Sequence, residues 1–367
     1  MNLFRTNCCL LFFCFCLITL PCFSQQEAYS FFVAGHVYGK PGINSVGFHP
    51  PFKAKYNFLQ TYPNMEFGVL TGDFAYQSLA QEFDETDAEI DTLGMPVYLA
   101  AGNHDYGNPQ LYIDRYGISY YHFIHENDLF IVLNPYLSGW SIEGDQLTFL
   151  ENVLQNEAAS ANQVFVFFHQ VLWWSEHNEY REIRTNSLDG RRDSINFFSE
   201  VLPLFELLDK PVNFFSGDVG AGSWASPYSF HQQGNINLIS SGMGSGVDDN
   251  LLIVEVDKHK TKIKLICLNE GSSNCKGSIL AVYERNHQSE FNISLYPNPA
   301  SEQITIDAPV ATDCGNIAIY NHLGQIVYHT SCNYFPLNIT IQHLPKGQYI
   351  LRYKNDKETL NRTFIKW

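Results

Sequence analysis

The sequence predicts an α/β domain followed by a small all-β sandwich. Three observations carry this. Apolar runs of strand length alternate with helical stretches between Ala28 and Leu268. A polar stretch containing Gly271-Ser272-Ser273-Asn274 then interrupts the pattern, and past Phe291 only short alternating runs remain. Strands alternating with helices imply a largely buried sheet with helices on both faces.

In chain order, Phe31-Phe32-Val33 is a short strand that ends in Ala34-Gly35-His36. A helix is expected over Phe52 to Gln60, then the strand Phe67 to Thr71 running into Gly72-Asp73. Ser78 to Leu93 is an acidic amphipathic helix with Leu79, Phe83, Ile90 and Leu93 on its apolar side. Val97 to Ala101 ends in Gly102-Asn103-His104-Asp105. Leu129 to Leu133, the helix Gly144 to Asn156 and the strand Val164 to Phe168 continue the alternation. A helix over Ser194 to Leu208, the strand Asn213 to Phe215 before Gly217-Asp218, and two closing strands, Asn235 to Ser240 and Asn250 to Val256, complete it.

Composition bounds the function. The chain has 367 residues, 28 Phe, 21 Tyr and 5 Trp among them, ample for a dense core. Its formal net charge is −16, from 22 Lys+Arg against 38 Asp+Glu. A nucleic-acid binder carries a basic face, so no nucleic-acid partner is expected. No internal apolar stretch reaches the ~18–20 residues that span a bilayer, so no transmembrane anchor is expected.

The ends are of a different kind. Arg5, the apolar run Cys8 to Leu20, and the polar Gln25-Gln26-Glu27 read as a signal peptide over residues 1–24. A lipidated Cys22 is the alternative reading. Four cysteines lie beyond residue 24, and their spacing suggests local pairs 267–275 and 314–332, four free thiols being the alternative. Residues 25–290 hold 15 basic and 33 acidic residues, against 6 and 5 in residues 291–367. This divides the chain into a 25–270 domain, a 271–290 linker and a 291–367 domain. The last is a small β-sandwich by its runs Gln303 to Ile306, Ile317 to Tyr320, Gln325 to Tyr328 and Tyr349 to Tyr353.

One regularity stands above the single elements. Residues of metal-ligand type sit just past the C-terminal ends of five strands: His36, Asp73, Asn103 with His104, His169, and Asp218. Ligands bind at that edge of an open α/β sheet, so these side chains are expected to converge. An Asp, Asn and His donor set suits divalent first-row metals, which lower the pKa of bound water and clamp the oxygens of a displacement. Each residue alone has a plain structural reading, as a turn former or a buried histidine bonded to backbone. Gly-Asn-His-Asp after one apolar strand, about thirty residues beyond Gly-Asp after another, makes that reading improbable for all of them together.

These motifs resemble the calcineurin-like metallophosphoesterases, with Gly72-Asp73-Phe74-Ala75-Tyr76 and Val166-Phe167-Phe168-His169 similar to the purple acid phosphatase branch. The resemblance implies a four-layered α/β sandwich and a secreted enzyme that hydrolyses a phosphate mono- or diester with one or two Mn, Zn or Fe ions. It implies that Asp73 bridges the metals, that Asn103 and His169 hold the second ion, and that His36 and Tyr76 serve the first. His104 would protonate the leaving group or steady the transition state, oriented by Asp105. The chain departs from the family at Ala34, where the first motif has Asp, and at Gly217-Asp218-Val219-Gly220, where the last motif has two histidines. Asp218 is then a candidate oxygen ligand in place of a histidine, and one good site beside one damaged site is expected. A non-catalytic exported binding module of the same fold is the competing reading.

Arg181, Arg184, Arg191 and Arg192 form a dense basic stretch in the acidic domain, and Arg184 and Arg191 are candidates for gripping a phosphate. Glu176, Glu179 and Glu182 are the alternative partners of these arginines. Leu295-Tyr296-Pro297-Asn298-Pro299-Ala300, Leu323-Gly324-Gln325 and Gly347-Gln348-Tyr349 resemble the C-terminal sorting domain of type IX secretion. That resemblance implies the type IX machinery as a partner, release to the medium or the surface of a Gram-negative cell, and removal of the tail.

Overall fold

The computed structural model describes residues 28–40, 47–244, 246–272, 278–284, 293–307, 315–321, 324–332, 334–355 and 359–367. The expected signal peptide lies outside them, and so do Cys275 and Cys314, one member of each expected cysteine pair.

The larger unit runs, in order, through β1 (Tyr29–Ala34), α1 (Pro50–Lys53), α2 (Tyr56–Gln60), β2 (Met65–Thr71), α3 (Ala80–Leu93) and β3 (Val97–Ala100). Then come α4 (Pro109–Tyr116), β4 (Tyr121–His125), β5 (Asp128–Val132), α5 (Gly144–Glu157) and β6 (Val164–Phe168). A π-helical turn at Phe197–Val201 leads into α6 (Leu202–Glu206), followed by β7 (Val212–Ser216), β8 (Tyr228–Gln233), β9 (Ile236–Ser241), β10 (Asn250–Val256), β11 (Lys260–Cys267) and β12 (Ile279–Glu284). The helix expected over Phe52 to Gln60 is thus two short pieces. The one expected over Ser194 to Leu208 is shorter, with Pro203 near the start of α6. Within residues 271–290, read as linker, β12 pairs antiparallel with β11 and ends the sheet.

Two six-stranded sheets face each other, in orders β12-β11-β10-β1-β2-β3 and β4-β5-β6-β7-β9-β8. Strands β1, β6 and β7 are buried at every position, as strands covered on both faces must be. Between the sheets Phe31 lies 5.1 Å from Phe67, 5.4 Å from Phe130 and 5.1 Å from Phe165, ring centroid to ring centroid. One outer face packs Phe52, Leu59, Phe83, Leu93 and Tyr112 from the first four helices. The other packs Leu150, Val153, Leu202 and Phe205 from α5 and α6. The result is the four-layered α/β sandwich.

The register places the site. Strands β1, β2 and β3 are parallel, with Ala34 beside Leu70 and Thr71 beside Ala100, while β6 and β7 are parallel with Phe168 beside Ser216. Their C-terminal ends therefore stand level, and the residues just past each end share one edge.

The smaller unit is all β. Strands β13 (Ser294–Tyr296), β14 (Gln303–Asp307) and β17 (Leu337–Thr340) form one sheet. Strands β15 (Asn316–Tyr320), β16 (Ile326–Ser331), β18 (Gly347–Lys354) and β19 (Thr359–Lys366) form the other. Ile304, Ile306, Ile317, Ile319, Ile339, Leu351 and Phe364 fill its core.

Candidate functional site

Four of the six strand-end residues lie close together: His36, Asp73, His169 and Asp218. His36 and Asp73 both adopt left-handed backbone, φ 55° and 56°, which is unusual outside glycine and a mark of strain held by surrounding structure. Asp73 Oδ2 lies 3.2 Å from His169 Nε2 and 3.9 Å from His36 Nε2, and His169 Nε2 is 3.7 Å from Asp218 Oδ1. All four side chains are buried.

The histidine tautomers follow from their other nitrogens. His36 Nδ1 is 2.7 Å from the Met243 carbonyl, and His169 Nδ1 is 2.8 Å from the Thr71 carbonyl. A carbonyl only accepts, so both Nδ1 atoms carry the hydrogen and both Nε2 atoms are left facing Asp73. This is the arrangement that readies an imidazole as a metal ligand. His169 Nε2 is misaligned for a hydrogen bond to Asp73, and among the described residues neither it nor Asp218 Oδ2 has a hydrogen-bond partner.

Electrostatics express the same crowding. Burial pushes His36 down to about 4, against the pull of Asp73. Burial also pushes Asp218 up to about 8, against His169. For the close Asp73–His169 pair burial is the largest single effect and opposes both charges, yet the partner's charge, the short contact between them and the neighbouring polar groups together outweigh it: His169 is held up and Asp73 down.

Asp105 is differently employed from the expectation. Its Oδ2 accepts the N–H groups of Asp73 (2.6 Å) and Gly102 (2.8 Å), and its Oδ1 those of Phe74 (2.9 Å) and Ala75 (2.8 Å). Its carboxylate braces two loops and leaves the His104 ring alone. That ring is set by Tyr76, whose carbonyl lies 2.6 Å from His104 Nδ1 and whose ring stacks on it at 5.5 Å. The Tyr76 hydroxyl makes no hydrogen bond to His36 or Asp73 among the described residues.

His104 and Asn103, both half-buried, line a cavity of about 530 Å³ together with Tyr76, Gln77, Ser78 and residues of two loops. Neither Arg184 nor Arg191 lines it. The Arg191 guanidinium stands 5.4 Å from the Trp174 ring and 5.7 Å from the Trp140 ring, while Arg184 is exposed. Arg192 pairs with Glu143 and Arg181 with Glu182. Aromatic neighbours thus hold the guanidinium expected to grip phosphate. Residues not anticipated do reach the site. Tyr38, two positions past His36, puts its ring 4.3 Å from His36 and 5.2 Å from His104. Ser187 and Asp189 reach the cavity from the loop after His169. The signal for them was present in a polar Asn-Ser-x-Asp stretch beside the arginines.

Gly220 closes the Gly217-Asp218-Val219-Gly220 stretch in which a final histidine is expected from the resemblance. Its φ is +83°, and a Cβ there would lie 2.5 Å from the Gly242 backbone, so no side chain is accommodated. Among the described residues, His, Cys, Asp and Glu form no ready group of three around one ion. The donors converge pairwise. What fits a cation is the kind of donor: buried carboxylate oxygens and an unpartnered imidazole nitrogen.

Comparison with known proteins agrees with both units. A purple acid phosphatase from yellow lupin (Lupinus luteus) seeds aligns with TM-score 0.53 and 13% identity over 71% of this chain and 54% of that one. The alignment thus spans about half the length of the lupin phosphatase. A conserved Streptococcus pneumoniae protein described as a predicted phosphoesterase aligns at TM-score 0.33 and 9% identity, over 71% of this chain and 99% of that one. Vps29 of Entamoeba histolytica, solved with zinc, aligns at 0.35 and 13%, over 70% and 99%. No curated protein sequence matches the chain. The larger unit has the metallophosphoesterase fold. Residues 294–366 match the family model of the secretion system C-terminal sorting domain, so the chain pairs that fold with a sorting tail. Among the described residues no helix is long and apolar enough to cross a membrane.

Proposed function

We propose that the chain is an exported, metal-dependent phosphoesterase that hydrolyses a small phosphate mono- or diester. One observation carries this: the unpartnered His169 Nε2 and Asp218 Oδ2 are buried beside Asp73, next to a cavity lined by Asn103 and His104. The His169–Asp73 pair would hold one Mn, Zn or Fe ion, with Asp218, which pairs with His169, and Asn103 as the further candidate oxygen donors. His36 would serve a weaker second position with Asp73. A bound ion polarises a phosphoryl oxygen and lowers the pKa of water.

The chain's own residues do the rest. His104 keeps a hydrogen on Nδ1 against the Tyr76 carbonyl, so Nε2 is the atom that takes up and releases a proton. Protonated there, it donates to the leaving oxygen. Asp105 keeps the Asp73 and His104 loops at a fixed spacing through its four N–H contacts. Deep burial of Asp73 and His169 excludes bulk water from one side of the reacting group.

The test is metal content and turnover of the full chain and three variants. About one equivalent of metal and turnover of an aryl phosphate are expected. His169→Ala should abolish both, and His36→Ala should do much less. His104→Ala should slow an alkyl ester far more than an aryl one, because a good leaving group needs little protonation. Equal damage from His36→Ala and His169→Ala would mean that two ions work together.

A second reading has an observation of its own. The first-motif aspartate is replaced by Ala34, the last histidine has no room at Gly220, and no ready three-donor group is formed. A fold retained for ligand binding predicts well under one equivalent of metal and no turnover.

The sorting tail supports export by the type IX route, to the medium or the surface of a Gram-negative cell. Intact-mass analysis of exported material should find a start near Gln25 and an end near residue 290. A species that still ends at Trp367 would contradict this, and a diacylated Cys22 would favour a lipoprotein.

A further inference from the structure

The cavity beside His104 differs in character from a phosphate grip. Its volume, about 530 Å³, suits a small organic group and is larger than a phosphoryl group alone requires. Among the described residues neither lysine nor arginine lines it, and the one carboxylate that does is Asp189. Asp189 Oδ2 is steadied by the Tyr136 hydroxyl at 3.0 Å, and its main-chain carbonyl by Trp140 Nε1 at 2.9 Å. The Tyr76 ring, 43% exposed, supplies an aromatic wall. Ser78 is already committed, its hydroxyl shared between the carbonyls of His104 and Asp105. Of the guanidinium groups on the loop after His169, Arg191 is engaged with two tryptophans, Arg192 with Glu143 and Arg181 with Glu182, while Arg184 is exposed and does not line the cavity.

We propose that this cavity receives the alcohol portion of the ester and selects one that bears an ammonium group. The proposal rests on the phosphoesterase reading and names its substrate class. A cation placed between a carboxylate and the face of a tyrosine is attracted by both. An anionic leaving group, such as a second phosphate or a carboxylate, meets repulsion from Asp189 and from the acidic domain around it. With the phosphorus at Asp73 and His169, the ester oxygen faces His104 and the carbon chain extends toward Tyr76 and Asp189.

The experiment compares choline phosphate with its neutral isostere, 3,3-dimethylbutyl phosphate, on the full chain. In parallel, choline and 3,3-dimethylbutanol are titrated calorimetrically, a readout that needs no turnover. Choline phosphate should lead by about tenfold in kcat/KM, and choline should bind about tenfold tighter than the neutral alcohol. Asp189→Asn should bring both ratios toward one, and Tyr76→Leu, which keeps the carbonyl that holds His104, should reduce both. Equal use and equal binding of the charged and neutral compounds, with aryl phosphate still hydrolysed, would overturn this proposal and leave the phosphoesterase reading standing. Preferential choline binding lost in Asp189→Asn, with no ester hydrolysed, would uphold the pocket and overturn that reading.

Discussion

Asp105 and Asp73 stand on different strand-end loops, yet the Asp73 N–H donates to Asp105 Oδ2 at 2.6 Å. Three further N–H groups, from Phe74, Ala75 and Gly102, converge on the same carboxylate. Asp105→Asn would turn an amide N–H₂ toward donors that need an acceptor. Each buried donor left unpaired costs about 1–3 kcal/mol. We expect a marked fall in the denaturation midpoint, together with loss of metal uptake as the Asp73 loop is released. An unchanged midpoint would show that the four contacts hold little.

Gly102 is needed for closeness. A Cβ there would lie 2.2 Å from Asp73 Oδ1 and 2.5 Å from its nitrogen. Gly102→Ala must therefore displace the carboxylate that faces both histidines. The expected outcome is a folded protein, by circular dichroism, with metal content reduced several-fold. Full metal loading in this variant would place the ion away from Asp73.

Arg191 lies between Trp140 and Trp174 and outside the cavity. Arg191→Ala is expected to lower thermal stability, by about 1 kcal/mol from the lost cation–π contacts alone. Its effect on KM for an aryl phosphate should stay within about twofold. A tenfold rise in KM would return the guanidinium to the substrate.

Glu255 on β10 accepts from the Tyr62 hydroxyl at 2.6 Å and from Lys264 Nζ. Burial works against its charge, but these bonds hold the carboxyl below its ordinary 4.5. A carboxylate held down in the folded state contributes stability above its unfolded value, and that contribution is lost as pH falls through the folded one. The side chain is 32% exposed, so solvent screens the pair and the effect is no more than about 1 kcal/mol. Glu255→Gln should lower the urea midpoint at pH 7, with the gap to the parent closing as pH drops below 4.5. A gap that persists at pH 3 would mean that the packing of Tyr62 and Lys264 matters more than the charge.

The sequence alone determined the alternation of strands and helices, the all-β tail and the polar residues at five strand ends. Each of these is written locally, as an apolar run followed by a glycine and a polar side chain, and parallel strands bring such ends to one edge. Strands β4, β8, β11 and β12 and helix α4 were not read from it. A sheet-edge strand such as β8, half-buried and polar, has little local signature apart from its pairing with β9. Tertiary structure decided the site's contacts. It gave Asp105 to four backbone donors and His104 to the Tyr76 carbonyl, set Arg191 against two tryptophans, and brought Tyr38 beside His104 and Asp189 to the cavity. The physical reason is range: a hydrogen bond or cation–π contact depends on distances of a few ångströms between segments far apart in the chain, and local periodicity carries no record of them.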